Sequence, residues 1–311
     1  MAAFEFVELS ANNGVDALAR PVFMAVPWKG RGFIGLRSDK KAALEPDRHI
    51  EASDMTDDPM LRTIDDFVAA MGGLPMAAKG IRFVSIKGNT PGPATLTARL
   101  GKQTAKLDIG VLRSKTFSIA FRFLRHRDAA DPQQTAGTSF KPADAQGMVD
   151  GLNSVYGPQA NIAFTLANAQ MVEIDSVLPQ PVDDQVKDDV MVPRIDKDAD
   201  ITAFLVGKWW HGRLKGSPNG SHYGLAGGKH LVVMNDKPSP VSRENLDWFL
   251  VTLAHEVGHS IGGGHQARNR VLLADADHAE SLKIDKELLK QLNSWNADSK
   301  AAKPAAGQSH D

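Results

Sequence analysis

The sequence predicts an α+β protein in two parts: a smaller β-rich domain over residues 1–112 and a larger mixed domain over 113–296, followed by a disordered tail at 297–311. Three observations carry this expectation. Apolar and polar residues alternate at period two through 81–112, the pattern of half-buried strands. Strand-like and helix-like stretches take turns between 117 and 166. Near 250, Leu246, Phe249, Leu250, Leu253 and Val257 recur at three- and four-residue steps, the spacing of a buried helical face.

In the first part, residues 22–26 and 32–36 are apolar runs on either side of the turn-prone Pro27-Trp28-Lys29-Gly30-Arg31. Residues 60–71 carry helical spacing through Leu61, Ile64, Phe67 and Val68. A hairpin is expected next, with strands at 81–86, 94–100 and 105–112 and the glycine- and proline-rich turn 88–93. This stretch resembles the last strands of bacterial immunoglobulin-like modules. In the second part, 117–124 reads as a strand and 142–156 as a helix with Ala145, Met148, Val149, Leu152 and Val155 on one face. A strand is expected at 160–166 and an acidic, proline-marked surface loop at 178–200. Strands at 201–209 and 229–234 then flank the glycine-rich 212–228. Ser242 can cap a helix over about 243–260, and Ile284, Leu288, Leu289 and Leu292 mark a final one at 282–295. The tail after 296 has no large apolar residue, which fits disorder.

Composition narrows the chemistry. The 36 Lys+Arg nearly cancel the 37 Asp+Glu, so no global field draws in a phosphate backbone, and no nucleic-acid partner is expected. No cysteine is present, which excludes disulfide staples, thiolate nucleophiles, cysteine-ligated zinc and iron–sulfur clusters. Any metal must be held by His, Asp or Glu. No apolar run approaches the ~20 residues needed to cross a bilayer, so no membrane span is expected. The N-terminal residues lack the positive region and apolar core of a signal peptide. The expectation is a bacterial cytoplasmic protein, or one exported by a leader-independent route.

One stretch dominates: His255-Glu256-Val-Gly-His259-Ser-Ile-Gly262-Gly-Gly-His265. On a helix, His255 and His259 lie one turn apart on one face, so both imidazoles can reach a single ion. Gly262 falls where the helix should stop, and a residue without Cβ can turn the chain sharply back. That turn would return His265 as a third ligand and leave a fourth tetrahedral position open for water. Zinc is the expected cofactor, as one catalytic ion.

These residues resemble the metzincin zinc metallopeptidases, whose signature His-Glu-x-x-His-x-x-Gly-x-x-His is complete at His255, Glu256, His259, Gly262 and His265. The resemblance covers about 113–296 and implies a twisted mixed sheet, an active-site helix and a C-terminal helix. It also implies a zinc-dependent endopeptidase in which Glu256 is the general base for a zinc-bound water, and His255, His259 and His265 hold the metal. A peptide or protein substrate would pair as an extended strand along a rim at 221–227. The methionine of the family's turn beneath the zinc is missing, because no methionine follows Met234. Leu273, within 270–275, aligns best with it, and Leu can replace Met at similar volume.

Weaker signals have bland competitors. Tyr223 could stabilise an oxyanion, yet a plain rim aromatic fits as well. His211, His222 and His230 could be extra ligands, and Trp209-Trp210 could line a cleft; isolated loop or core roles compete in each case. Asp196, Asp198 and Asp200 imitate the start of a calcium loop but lack its glycine and its closing acid, where Ile201 and Gly207 stand. Two further functions stay open: a metal-binding effector or adaptor without proteolysis, and a zinc hydrolase of cell-wall peptides. An exported, toxin-like effector would have a secretion machine or an immunity protein as partner. Residues 1–112 would then serve latency, targeting or substrate binding.

Overall fold

The computed structural model describes residues 4–9, 14–56, 80–127, 131, 135–178, 184–207, 224–226, 231–235, 248–264, 272 and 282–293. The chain is a mixed α+β protein that divides into two compact units. One joins the residues up to Ser114 to Pro158–Asn161 and to the segment from Lys283 onward; the other holds Lys115–Gly157 and Ile162–Leu282.

The first unit is built on two sheets. Strands β1 (Glu5–Val7), β4 (Arg31–Arg37), β7 (Ile81–Gly88) and β6 (Ile50–Asp54) form an antiparallel sheet in that order. The second sheet runs β2 (Val15–Asp16), β3 (Val22–Pro27), β9 (Gln103–Leu112), β8 (Gly92–Leu100) and β5 (Ala43–Pro46), with β3 and β9 parallel. Phe6, Ile34, Leu36, Val84 and Ile86 from one sheet and Met24, Val26, Leu96, Leu107, Ile109 and Val111 from the other share one buried core, so this is a two-sheet sandwich. The expected hairpin holds between β8 and β9, which register Leu100 opposite Gln103. The turn at 88–93 instead carries the chain between sheets, as does Pro27–Arg31 between β3 and β4. Alternation reports which face of a strand is buried; it does not say which strand pairs with it.

A short closing helix, α3 (Lys286–Leu292), belongs to this unit although chain order places it last. Asp285 caps it by accepting from the Leu288 N–H at 2.9 Å, and Leu288, Leu289 and Leu292 are buried. Lys286 pairs with Asp108 at 2.8 Å, and Lys283 pairs with Glu8. The helix expected at 60–71 and the tail 297–311 lie outside the described residues.

The second unit is organised by one sheet. β10 (Lys115–Arg127) is flanked by the parallel strands β12 (Ile162–Val177) and β13 (Ile201–Val206). Beyond β13 come the parallel β15 (Leu231–Asn235) and the antiparallel edge strand β14 (Gly224–Ala226), while β11 (Thr135–Gly137) pairs antiparallel with the end of β10. A register shift opposite Ile119/Ala120 leaves Ala167 as an extra residue in β12 and flips its side chains. Phe164, before it, packs edge-on to Tyr156 of helix α1 (Ala145–Ala160), whereas Val172 and Ile174, after it, join a cluster on the other face with Leu124, Phe204, Val206 and Val233.

That second cluster corrects the reading of 178–200 as a surface loop. Residues 184–194 form consecutive helical turns, and Leu178, Val186 and Met191 are buried with the partly buried Val190 and Ile195 against the sheet. The interspersed Asp and Lys side chains made this stretch look wholly solvated. Helix α1 starts where sequence signals place it: Pro142 occupies the first position of its leading 3₁₀ turn, and the Asp144 carboxylate accepts from the Lys141 N–H at 2.8 Å. Among the described residues, no helix is long and apolar enough to cross a membrane.

Candidate metal centre

Helix α2 (Trp248–Ser260) turns a buried apolar stripe of Val251, Leu253, Ala254 and Val257 into a platform for polar side chains. His255 and Glu256 are themselves buried, and His259 is partly so. The i,i+4 spacing brings the two imidazoles together with Nε2 to Nε2 at 3.1 Å, the rings lying nearly perpendicular at 82°. Each ring is held at its other nitrogen. His255 Nδ1 lies 2.8 Å from the Leu272 carbonyl, and His259 Nδ1 lies 2.9 Å from the Gly263 carbonyl.

A carbonyl oxygen only accepts, so each Nδ1 is the donor of its pair, and in a neutral ring that leaves the Nε2 lone pair as the group turned to the other histidine. At 3.1 Å the two Nε2 atoms are close enough to share one positive centre, a proton or a metal ion. A divalent cation fits: with metal–nitrogen bonds of about 2.0–2.1 Å, the 3.1 Å separation corresponds to an angle of about 95–102°, close to tetrahedral. Carbonyls that orient ligating histidines through the second nitrogen are what metal centres require of their surroundings.

The turn after α2 supplies one of those carbonyls. Gly262 N–H donates to the His259 carbonyl at 3.0 Å and Gly263 N–H to the Gly258 carbonyl at 2.9 Å, the pair of bonds of a Schellman ending. Gly262 sits at φ +105°, and a Cβ there would meet nothing within 4 Å. Conformation, not space, demands glycine. The turn thus ends the helix and delivers the Gly263 carbonyl to His259.

Sequence reasoning missed Leu272 as a partner of this site. It is fully buried and its backbone oxygen holds His255; no side-chain pattern announces a backbone acceptor. Its neighbour Leu273, expected in place of the family's turn methionine, lies outside the described residues. So do the third histidine, His265, and Tyr223, His211, His222, His230, Trp209 and Trp210. Among the described residues, no group of three His, Asp or Glu gathers as a metal site. Of the expected rim, Gly224–Ala226 is seen as β14, the edge strand paired with β15 and in contact with α2.

The acidic loop is arranged for other work. Asp196 Oδ2 accepts from the buried Arg122 guanidinium at 2.8 Å and from the Asn168 amide, while its Oδ1 accepts from the Asp198 N–H at 2.9 Å. Asp200 Oδ2 takes the Ser118 N–H at 2.7 Å and its hydroxyl at 2.9 Å. The Asn168 hydrogen bond first, with the Asp198 N–H and Arg122 adding to it, holds the Asp196 carboxyl below the usual range. A guanidinium occupies the cationic role against Asp196.

Residues 143–266 match the model of the family described as Metallo-peptidase family M12B Reprolysin-like. The matched stretch runs from the 3₁₀ turn that leads into α1 through α2 and ends at residue 266, so it takes in His255, Glu256, His259 and Gly262. Among solved structures, the chain is similar to "Structure of surface layer protein SbsC, domains 1-6" at 10% identity and a TM-score of 0.22, covering 30% of this chain and 12% of that one. It is also similar to "Crystal structure of the S-layer protein SbsC domains 4 and 5" at 12% identity and a TM-score of 0.21, covering 36% and 53%. Likeness at those scores carries no argument about this chain. No curated protein matches it.

Proposed function

We propose that this chain is a zinc-dependent endopeptidase whose metal is held by His255, His259 and His265 and whose general base is Glu256. The observation that carries the proposal is the convergence of two Nε2 atoms at 3.1 Å, with both Nδ1 atoms committed to backbone carbonyls. The family match over 143–266 supports the same chemistry. When bound, zinc would supply a Lewis acid that acidifies water and polarises a carbonyl.

The protein's own residues do the rest. Glu256, next to His255 on a largely buried helix, takes the proton from the attacking water and later delivers it to the departing amine. Burial excludes bulk water from the pair and strengthens each charge–dipole interaction. The edge strand β14 offers its outer backbone groups to an extended peptide, which would add as a further strand.

The test is to incubate the purified chain, loaded with zinc, with a denatured proteome-derived peptide library and to read new termini by mass spectrometry. Cuts made by the wild type and missing with Glu256→Gln or after chelation are expected. A zinc-loaded chain that makes no cuts would favour a binding role or a cell-wall peptide substrate.

A further inference from the structure

Helices α1 and α2 meet at two points that follow the chain in the same direction. Gly151 faces Leu250 so closely that a Cβ on Gly151 would lie 2.8 Å from Leu250 Cδ1. Five residues on, the Tyr156 hydroxyl donates to the Ala254 carbonyl at 2.6 Å, at the short end of O–H···O distances. Tyr156 is completely buried, and its ring is fixed edge-on to Phe164 with centroids 5.3 Å apart. Burial pushes the phenol above its ordinary range, which favours the protonated hydroxyl that donates to Ala254.

The acceptor matters more than the bond. An α-helical carbonyl at 254 already serves the N–H at 258, so Ala254 does not need Tyr156 for satisfaction. The peptide unit is planar, and the plane holding the Ala254 carbonyl ends on the His255 Cα. Anchoring that oxygen anchors the root of the His255 side chain, while the Leu272 carbonyl anchors its Nδ1. With both ends held, the position of Nε2 is determined. Ligand sites lose affinity when their groups wander by more than about 0.5 Å.

We infer that Tyr156 is a positioning residue for the metal centre, acting through the Ala254–His255 peptide to place His255 Nε2 beside His259 Nε2. This rests on the assignment of His255 and His259 as ligands. It gives a tyrosine on a separate helix, 99 residues from His255, a role in metal affinity rather than in packing alone.

The experiment compares the full-length wild type with Tyr156→Phe, which keeps the ring and its contact with Phe164, and with Val155→Ala, which removes buried volume from the same helix and keeps the Tyr156 hydroxyl. Zinc affinity is read by competition with a chromophoric chelator, Co²⁺ coordination by its visible absorption bands, and stability by urea unfolding of the metal-free chain. Tyr156→Phe is expected to weaken zinc binding about tenfold and to shift the Co²⁺ bands. Val155→Ala is expected to lower the unfolding midpoint and leave affinity and bands unchanged. Wild-type affinity and bands in Tyr156→Phe, beside binding that His259→Ala abolishes, would overturn this inference alone. Loss of affinity in Val155→Ala in proportion to its lost stability would also overturn it. A wild type that takes up no metal would remove the ligand assignment and this inference together.

Discussion

Replacing Gly262 by alanine separates conformation from packing, because the structure leaves room for the new methyl and penalises only its backbone angle. At φ +105° an L-residue is strained, and the cost is about 1–2 kcal/mol. Nothing lies within 4 Å of where the methyl would sit, so no clash adds to that cost. The same exchange at Gly147, an exposed residue inside α1 whose Cβ would also meet nothing, should stabilise by about 0.5–1 kcal/mol through helix propensity. The two variants should therefore differ by about 2 kcal/mol with opposite signs. Urea unfolding of the metal-free proteins reads the difference directly. Zinc titration adds a second readout: a displaced Gly263 carbonyl loosens His259, so Gly262→Ala should bind zinc more weakly while Gly147→Ala binds as the wild type does. Equal shifts for both variants, or a Gly262→Ala protein with unchanged stability and affinity, would refute the reasoning.

Three further outcomes are expected. Glu256→Gln should retain stoichiometric zinc and lose about 10²–10⁴-fold in turnover, whereas His259→Ala should lose the metal as well, checked by elemental analysis beside the peptide assay. Asn153→Ala should destabilise the metal-free chain by about 2 kcal/mol in chemical denaturation, because the Asn153 side chain serves both the N–H and the carbonyl of Phe164, at 2.7 and 3.0 Å. Asp196 has a folded value below its unfolded one, so its contribution is present above pH ~4 and lost as pH falls through the lower folded value. Acid titration monitored by circular dichroism should thus show a shallower loss of stability below pH ~4 in Asp196→Asn than in the wild type.

Side-chain chemistry makes much of the candidate site legible in the sequence. Histidines four apart on an apolar-striped helix, with Glu256 between them and Gly262 at the end, are local facts, and local backbone geometry turned them into converging imidazoles and a Schellman turn. The strands from 81 to 112 and the one at 117–124 announced themselves through apolar patterning. Their partners did not, since β3 and β4 are consecutive in the chain yet belong to different sheets. The helical turns at 184–194 were hidden because Val186, Val190, Met191 and Ile195 bury themselves between charged neighbours whose own side chains remain in water.

What the sequence determined by itself is whatever depends on residue type and short spacing: the helix bearing His255 and His259, the glycine that ends it, and the buried faces of the strands. Tertiary structure alone decided which carbonyls hold the two Nδ1 atoms, which hydroxyl reaches Ala254, and which sheet each strand joins. The physical reason is that every residue other than proline carries the same backbone donor and acceptor. Which of them meets a given side chain is set by how distant segments pack, and residue type does not encode that.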